Sequence, residues 1–231
     1  TTLMRLTTAY AMLVNGGKKI TPTLLDRIQD RHGRTVFRHD RRVCKGCRLR
    51  VWSGETPPRI PDSRPQITDP GSAYQVVAML KGVIDRGTGR RVAKVGKPLA
   101  GKTGTTNQER DTWFIGFSPD LAVGVFVGFD TPIPLGHRET GSSVAAPIFR
   151  DFMAYALGNK PAIPFRIPPN IRLVRVNART GQLAKPGEKN VILEAFKPGS
   201  VPTSDTQILK GQRLSAGQAS NVGPSLGTGG L

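Results

Sequence analysis

Leu99-Ala-Gly-Lys-Thr-Gly-Thr-Thr-Asn107, then Asp111-Thr-Trp-Phe-Ile-Gly-Phe-Ser-Pro-Asp120, then Leu121-Ala-Val-Gly-Val-Phe-Val-Gly-Phe-Asp130 is the stretch that decides the fold. Three runs rich in apolar and β-favouring residues stand in close order: Leu99 to Thr105, Thr112 to Phe117 and Leu121 to Asp130. Asn107-Gln108-Glu109-Arg110 and Ser118-Pro119-Asp120 are the turns between them. Links this short predict antiparallel neighbours in one sheet. Pro147 to Leu157 then reads as a helix, with Ile148, Phe149, Phe152, Met153 and Ala156 on one face. A helix after an antiparallel meander covers one side of it.

Upstream, the clearest helix follows Asp69, a good cap, and Pro70, suited to the first helical position. Ala73, Val76, Val77, Leu80, Val83 and Ile84 form its apolar stripe, and Gly87 and Gly89 end it. A first helix spans 1–14, with Leu3, Leu6, Tyr10, Leu13 and Val14 on one face, and Asn15-Gly16-Gly17 stops it. Leu24 to Arg38 reads as a hairpin, with arms Leu24–Ile28 and Thr35–Phe37 and the turn Asp30-Arg31-His32-Gly33. The expected class is α+β, an antiparallel sheet flanked by helices. The expected organisation is a core-bearing part over 1–158 with a loop excursion at 39–67, an extended segment over 159–202 with short strands at Ile171–Val176 and Val191–Phe196, and a disordered Gly/Ser-rich tail over 203–231.

Thirty-four Lys and Arg against 16 Asp and Glu give a net charge of +18, which favours anionic surroundings without choosing among nucleic acid, lipid and wall polymer. The densest basic stretch is Arg38, Arg41, Arg42, Lys45, Arg48 and Arg50. Aromatics, 6% of the chain, do not interleave with it as base stacking requires, so no specific nucleic acid is expected. The longest apolar run, Leu121 to Phe129, is too short for a membrane helix. Cys44 and Cys47 admit a local disulfide, half of a zinc site with His32 and His39, or two free thiols. A second cysteine pair is absent, and the expectation is no metal and no cofactor.

Lys102-Thr103-Gly104-Thr105 has the chemistry of an anion-recognising strand. Gly104 lets a ligand backbone lie close, Thr103 and Thr105 can donate hydroxyl hydrogens to a carboxylate, and Lys102 adds positive charge. An open strand edge offers N–H and C=O groups to an extended peptide. The bland reading is an exposed strand end.

The long run around this strand resembles the class A, bifunctional penicillin-binding proteins. So do Gly82-Val-Ile-Asp-Arg-Gly-Thr-Gly-Arg90, Glu139-Thr-Gly-Ser-Ser-Val-Ala-Ala-Pro-Ile-Phe149 and Ala9-Tyr-Ala-Met-Leu-Val-Asn-Gly-Gly17. The resemblance implies the C-terminal portion of the transpeptidase fold shared with β-lactamases. It implies a serine acyltransferase that crosslinks peptidoglycan stem peptides ending in D-Ala-D-Ala and is acylated by β-lactams. By resemblance, Lys102 and Thr105 are catalytic, and Thr103, Gly104, Thr105 and Thr106 bind substrate, with the Thr105 N–H as half of the oxyanion hole. Such a donor is worth about 3–4 kcal/mol. Trp113 and Phe114 read mainly as core. The family's Ser-x-x-Lys and Ser-x-Asn motifs are absent from these 231 residues. The chain alone is therefore expected to be inactive. Its partner is expected to be the N-terminal remainder of the same protein, with a glycosyltransferase domain and a membrane anchor at the periplasmic face of the bacterial inner membrane. Two other readings stand beside this one: a β-lactamase, and a non-catalytic cationic module for anionic polymer.

Overall fold

A computed structural model describes residues 1–44, 47, 54, 56 and 60–202. The expected tail over 203–231 and much of the excursion between 45 and 59 lie outside the described residues. Two compact units are distinguished among the described residues, one drawn from 1–172 with 195–198 and the other from 173–194 with 199–202.

The first unit is built on the meander: β3 (Ala100–Thr105), β4 (Asp111–Phe117) and β5 (Ala122–Gly128), antiparallel and in the order β3-β4-β5, matching the sequence reading. Before it come α1 (Leu3–Val14), the hairpin β1 (Arg27–Gln29) and β2 (Thr35–Arg38), and α2 (Pro70–Arg86); after it comes α3 (Ala146–Leu157). The Thr2 side chain accepts from Arg5 N–H to cap α1, and the Asp69 carboxylate accepts from Ser72 N–H to cap α2. Strand pleating sends alternate residues to opposite faces. Phe114 faces α3, where Phe149, Met153, Val92, Leu99 and Ile84 join it in one core cluster. Phe117 faces the other way, into a cluster with Val77, Leu80, Ala100 and Phe165, flanked by Tyr10 and Leu13 of α1. The sheet is thus covered on both faces, and aromatic pairs mark each layer: Phe114–Phe149 at 4.7 Å and Tyr10–Phe117 at 6.4 Å.

Some expectations fail in detail. Val76 is exposed, because Ala73, Val77, Leu80 and Ile84 already complete the inward stripe of α2. Ile148 and Phe152 are half exposed for the same reason; the inward positions of α3 are Ala146, Phe149, Met153 and Leu157. Leu24 lies in the open, and the first arm of the hairpin shrinks to three residues. Two short helical turns have no apolar period to betray them: a 3-10 turn over Arg90–Val95 and a π turn over Gly141–Ala145.

Cys44 and Cys47 are joined by a disulfide. Among the described residues no group of three or more His, Cys, Asp and Glu is placed to hold a metal, and no helix is long and apolar enough to cross a membrane. Before and after the excursion, Lys18 pairs with Asp62 at 3.1 Å, Arg64 pairs with Asp62 at 2.9 Å, and Lys19 N–H donates to the Pro65 carbonyl. The second unit holds the paired strands β6 (Arg172–Asn177) and β7 (Val191–Phe196), whose outer residues Arg172, Ala195 and Phe196 belong to the first. In the second unit the Asn177 side chain donates to Glu188 and accepts from the N–H groups of Arg179 and Thr180.

Candidate functional site

The outer edge of β3 is free of any strand partner among the described residues, since β4 occupies only its other side. Lys102 and Thr105 of this strand are exposed, Thr103 and Gly104 are half-buried, and Thr106, just beyond its end, is exposed. The register pairs Lys102 with Ile115, Thr103 with Phe114, Gly104 with Trp113 and Thr105 with Thr112. Pleating therefore puts Thr103 and Thr105 on the α3 face and Lys102 and Gly104 on the α1 face.

Each side chain has a definite partner. The Lys102 ammonium donates to its neighbour's carbonyl, Thr103 O, at 2.9 Å, and lies 3.4 Å from Thr103 Oγ1. Thr103 Oγ1 is 2.9 Å from Thr88 Oγ1. Thr105 Oγ1 accepts from Gly141 N–H at 3.0 Å. A hydroxyl that accepts this bond keeps its own hydrogen for another acceptor. Thr106 turns away from the strand edge; its hydroxyl accepts from Asp111 N–H at 2.9 Å and closes the β3–β4 link.

Three features of the site carry no sequence signal by themselves. Thr88 sits between two glycines in the stretch that ends α2, and only the fold brings it to Thr103. Ser142 Oγ–H donates to the Thr88 carbonyl at 2.8 Å across 54 residues. Gly141 packs so closely that an added Cβ would lie 2.5 Å from Gly104 O and 2.6 Å from Trp113 O. Thr140 and Ser143 cap the turn reciprocally, and Ser143 Oγ–H donates to Glu139 at 2.8 Å. Thr88, Gly141 and Ser142 all fall in segments quoted above as resembling the family, which was the signal available.

Trp113 and Phe114 divide. Phe114 is wholly buried, while Trp113 is half-buried beside Gly104 and packs at a tilt against Phe126, ring centroids 4.6 Å apart. Reading both as mainly core was thus right for Phe114 and only partly right for Trp113. A Cβ at Gly104 would stand 3.1 Å from the Trp113 Cβ, so the glycine makes room for this indole as well as for anything lying along the strand. The edge presents a lysine, two threonine hydroxyls and open backbone groups, a set suited to the carboxylate end of an extended peptide.

Comparison with known proteins gives a consistent result. The family profile for the penicillin binding protein transpeptidase domain matches residues 1–154. Penicillin-binding protein 1A of Rickettsia conorii is 45% identical over 203 residues, covering 87% of this chain and 25% of that protein. Penicillin-binding protein 1A of Pseudomonas aeruginosa is 33% identical over 240 residues, covering 91% of this chain and 29% of that protein. The crystal structure of penicillin-binding protein 1A from Haemophilus influenzae superposes with a TM-score of 0.72 at 30% identity, covering 88% of this chain and 33% of that one. The chain thus spans about a quarter to a third of the length of these relatives. With the family profile matching two thirds of its length, and with the meander, its two covering layers and the Lys102–Thr105 edge in place, the chain belongs to the penicillin-binding protein transpeptidase family.

Proposed function

We propose that this chain is the C-terminal portion of a serine-type D,D-transpeptidase, and that β3 is the wall of its cleft that binds the substrate carboxylate. The carrying observation is the Lys102–Thr105 edge, with Thr105 Oγ1 already accepting from Gly141 N–H and so left to donate. Lys102 supplies positive charge, Thr103 and Thr105 donate to the terminal carboxylate of a stem peptide, and the Thr105 N–H serves as half of the oxyanion hole. The Gly104 backbone lies against the bound peptide. Thr106 has a smaller part, because its hydroxyl is engaged with Asp111.

The nucleophilic serine, its lysine and the Ser-x-Asn motif are supplied by another part of the protein, because no serine in the 231 residues is followed three positions later by lysine or two positions later by asparagine. The chain is accordingly inactive by itself, and β-lactams bind it covalently only where that serine is present. The partners in this reading are stem peptides, β-lactams and the remainder of the same polypeptide, including a glycosyltransferase domain and an anchor that holds the enzyme at the periplasmic face of the inner membrane. The +18 charge suits such a position beside anionic lipid and wall polymer.

The test is crosslinking of stem peptides by the longer protein that carries this segment, with Lys102→Ala as the variant. A loss of crosslinking by roughly 10- to 100-fold is expected, as for removal of a charged partner of the substrate carboxylate. Wild-type rates in Lys102→Ala would refute the assignment of this strand.

A further inference from the structure

We propose that Thr88 is a positioning residue of the carboxylate site, whose hydroxyl donates to Thr103 Oγ1 and thereby turns the Thr103 hydrogen outward to the ligand. This rests on the reading of β3 given above and adds a residue to it.

A threonine hydroxyl has one hydrogen and two acceptor positions. An ammonium only donates, so Lys102, 3.4 Å from Thr103 Oγ1, offers a hydrogen toward one acceptor position. Thr88 Oγ1 lies 2.9 Å from the same oxygen, and in the free protein either hydroxyl can be the donor. A carboxylate only accepts. It selects the arrangement in which Thr103 donates to it, and that arrangement requires Thr88 to donate into the remaining acceptor position. Thr103 is then fully engaged, with its hydrogen in a charge-assisted bond.

The placement of Thr88 is also controlled. Its flanking residues, Gly87 and Gly89, leave the turn few side-chain contacts of its own, and Thr88 is exposed. Ser142 holds the turn by donating to the Thr88 carbonyl at 2.8 Å. The neighbouring residue, Gly141, donates to Thr105 Oγ1 at 3.0 Å. One segment, Gly141-Ser142, therefore positions both threonine hydroxyls of the strand, directly at Thr105 and through Thr88 at Thr103.

The experiment compares acylation of the longer protein by a penicillin and by the methyl ester of the same penicillin, which lacks the carboxylate. In Thr88→Val, second-order acylation by the acid should fall roughly tenfold relative to the ester, the scale of one hydrogen bond to a charged group. Thr88→Ser should restore the wild-type preference. Ser142→Ala, which keeps the Thr88 hydroxyl but unpins the turn that carries it, should shift the preference the same way by a smaller factor. Equal loss for acid and ester in both variants would mean a merely structural role and would overturn the inference. So would an unchanged preference in Thr88→Val at wild-type melting temperature. Failure of the unmodified protein to be acylated by either compound would instead bring down the transpeptidase reading, and this inference with it.

Discussion

Replacing Gly141 by alanine tests the site from behind. The added Cβ would stand 2.5 Å from Gly104 O, 2.6 Å from Trp113 O and 3.1 Å from Gly104 N. All three are backbone atoms of the paired strands and cannot swing aside as a side chain would. Unstrained non-bonded contacts of carbon lie at about 3.5–4.0 Å, so the turn must retreat by roughly 1 Å. Overpacking of this kind costs about 1–3 kcal/mol. The retreat also stretches the Gly141 N–H bond to Thr105 Oγ1, now 3.0 Å, which is worth about 1 kcal/mol. The sum is about 2–4 kcal/mol of stability. Because the displaced segment also carries Ser142, the threonine hydroxyls lose their placement, and a shift of this size can slow acylation by up to about 100-fold. Denaturant unfolding and the rate of penicillin acylation, both in the longer protein, measure the two effects. An alanine variant that unfolds at the wild-type midpoint and is acylated at the wild-type rate would refute the packing on which the site is built.

Phe149→Ala should destabilise by about 3–5 kcal/mol in denaturant unfolding, because the ring is wholly buried against Phe114; a loss below about 1 kcal/mol would contradict this placement of α3. Thr112 is wholly buried and its hydroxyl meets no hydrogen-bond partner among the described residues, so Thr112→Val should raise stability by about 1 kcal/mol in the same assay. Hydrogen bonding from Arg64, helped by Lys18, holds the Asp62 carboxyl well below the usual carboxylate range. Its contribution is complete above the ordinary value and is lost as pH falls through the lowered one. Hydrogen exchange at Lys19 N–H, which donates to Pro65, should accordingly gain an acid-sensitive component that Asp62→Asn lacks. Cys44 and Cys47 should resist a thiol reagent under denaturing conditions until the protein is reduced.

The three strands and three main helices were legible because each carries its own signal: β-favouring runs broken by Gln108 and Pro119, and caps at Asp69 and Asn15-Gly16-Gly17. Which apolar residues turn inward was less so. A helix stripe read from spacing alone is wider than the surface it meets, and Val76, Ile148 and Phe152 fall on its outer margin. The Lys102–Thr105 strand could be read directly, but its supports could not. Thr88 and Ser142 are 54 residues apart, each is an ordinary polar residue in a glycine-containing stretch, and only tertiary packing brings the Ser142 hydroxyl to the Thr88 carbonyl. Trp113 shows the same limit from the other side, since strand alternation separates it from Phe114 but does not reveal that its face leaves the indole half-buried.

Labelling with a fluorescent penicillin, followed by denaturing electrophoresis, decides whether this chain forms one wall of a cleft whose nucleophile lies elsewhere in the protein. The 231-residue chain by itself should give no labelled band, the longer protein carrying the Ser-x-x-Lys and Ser-x-Asn motifs should give a strong one, and Lys102→Ala in that longer protein should give a weak one. A covalently labelled band from the isolated chain, or full labelling of the Lys102→Ala protein, would contradict the account.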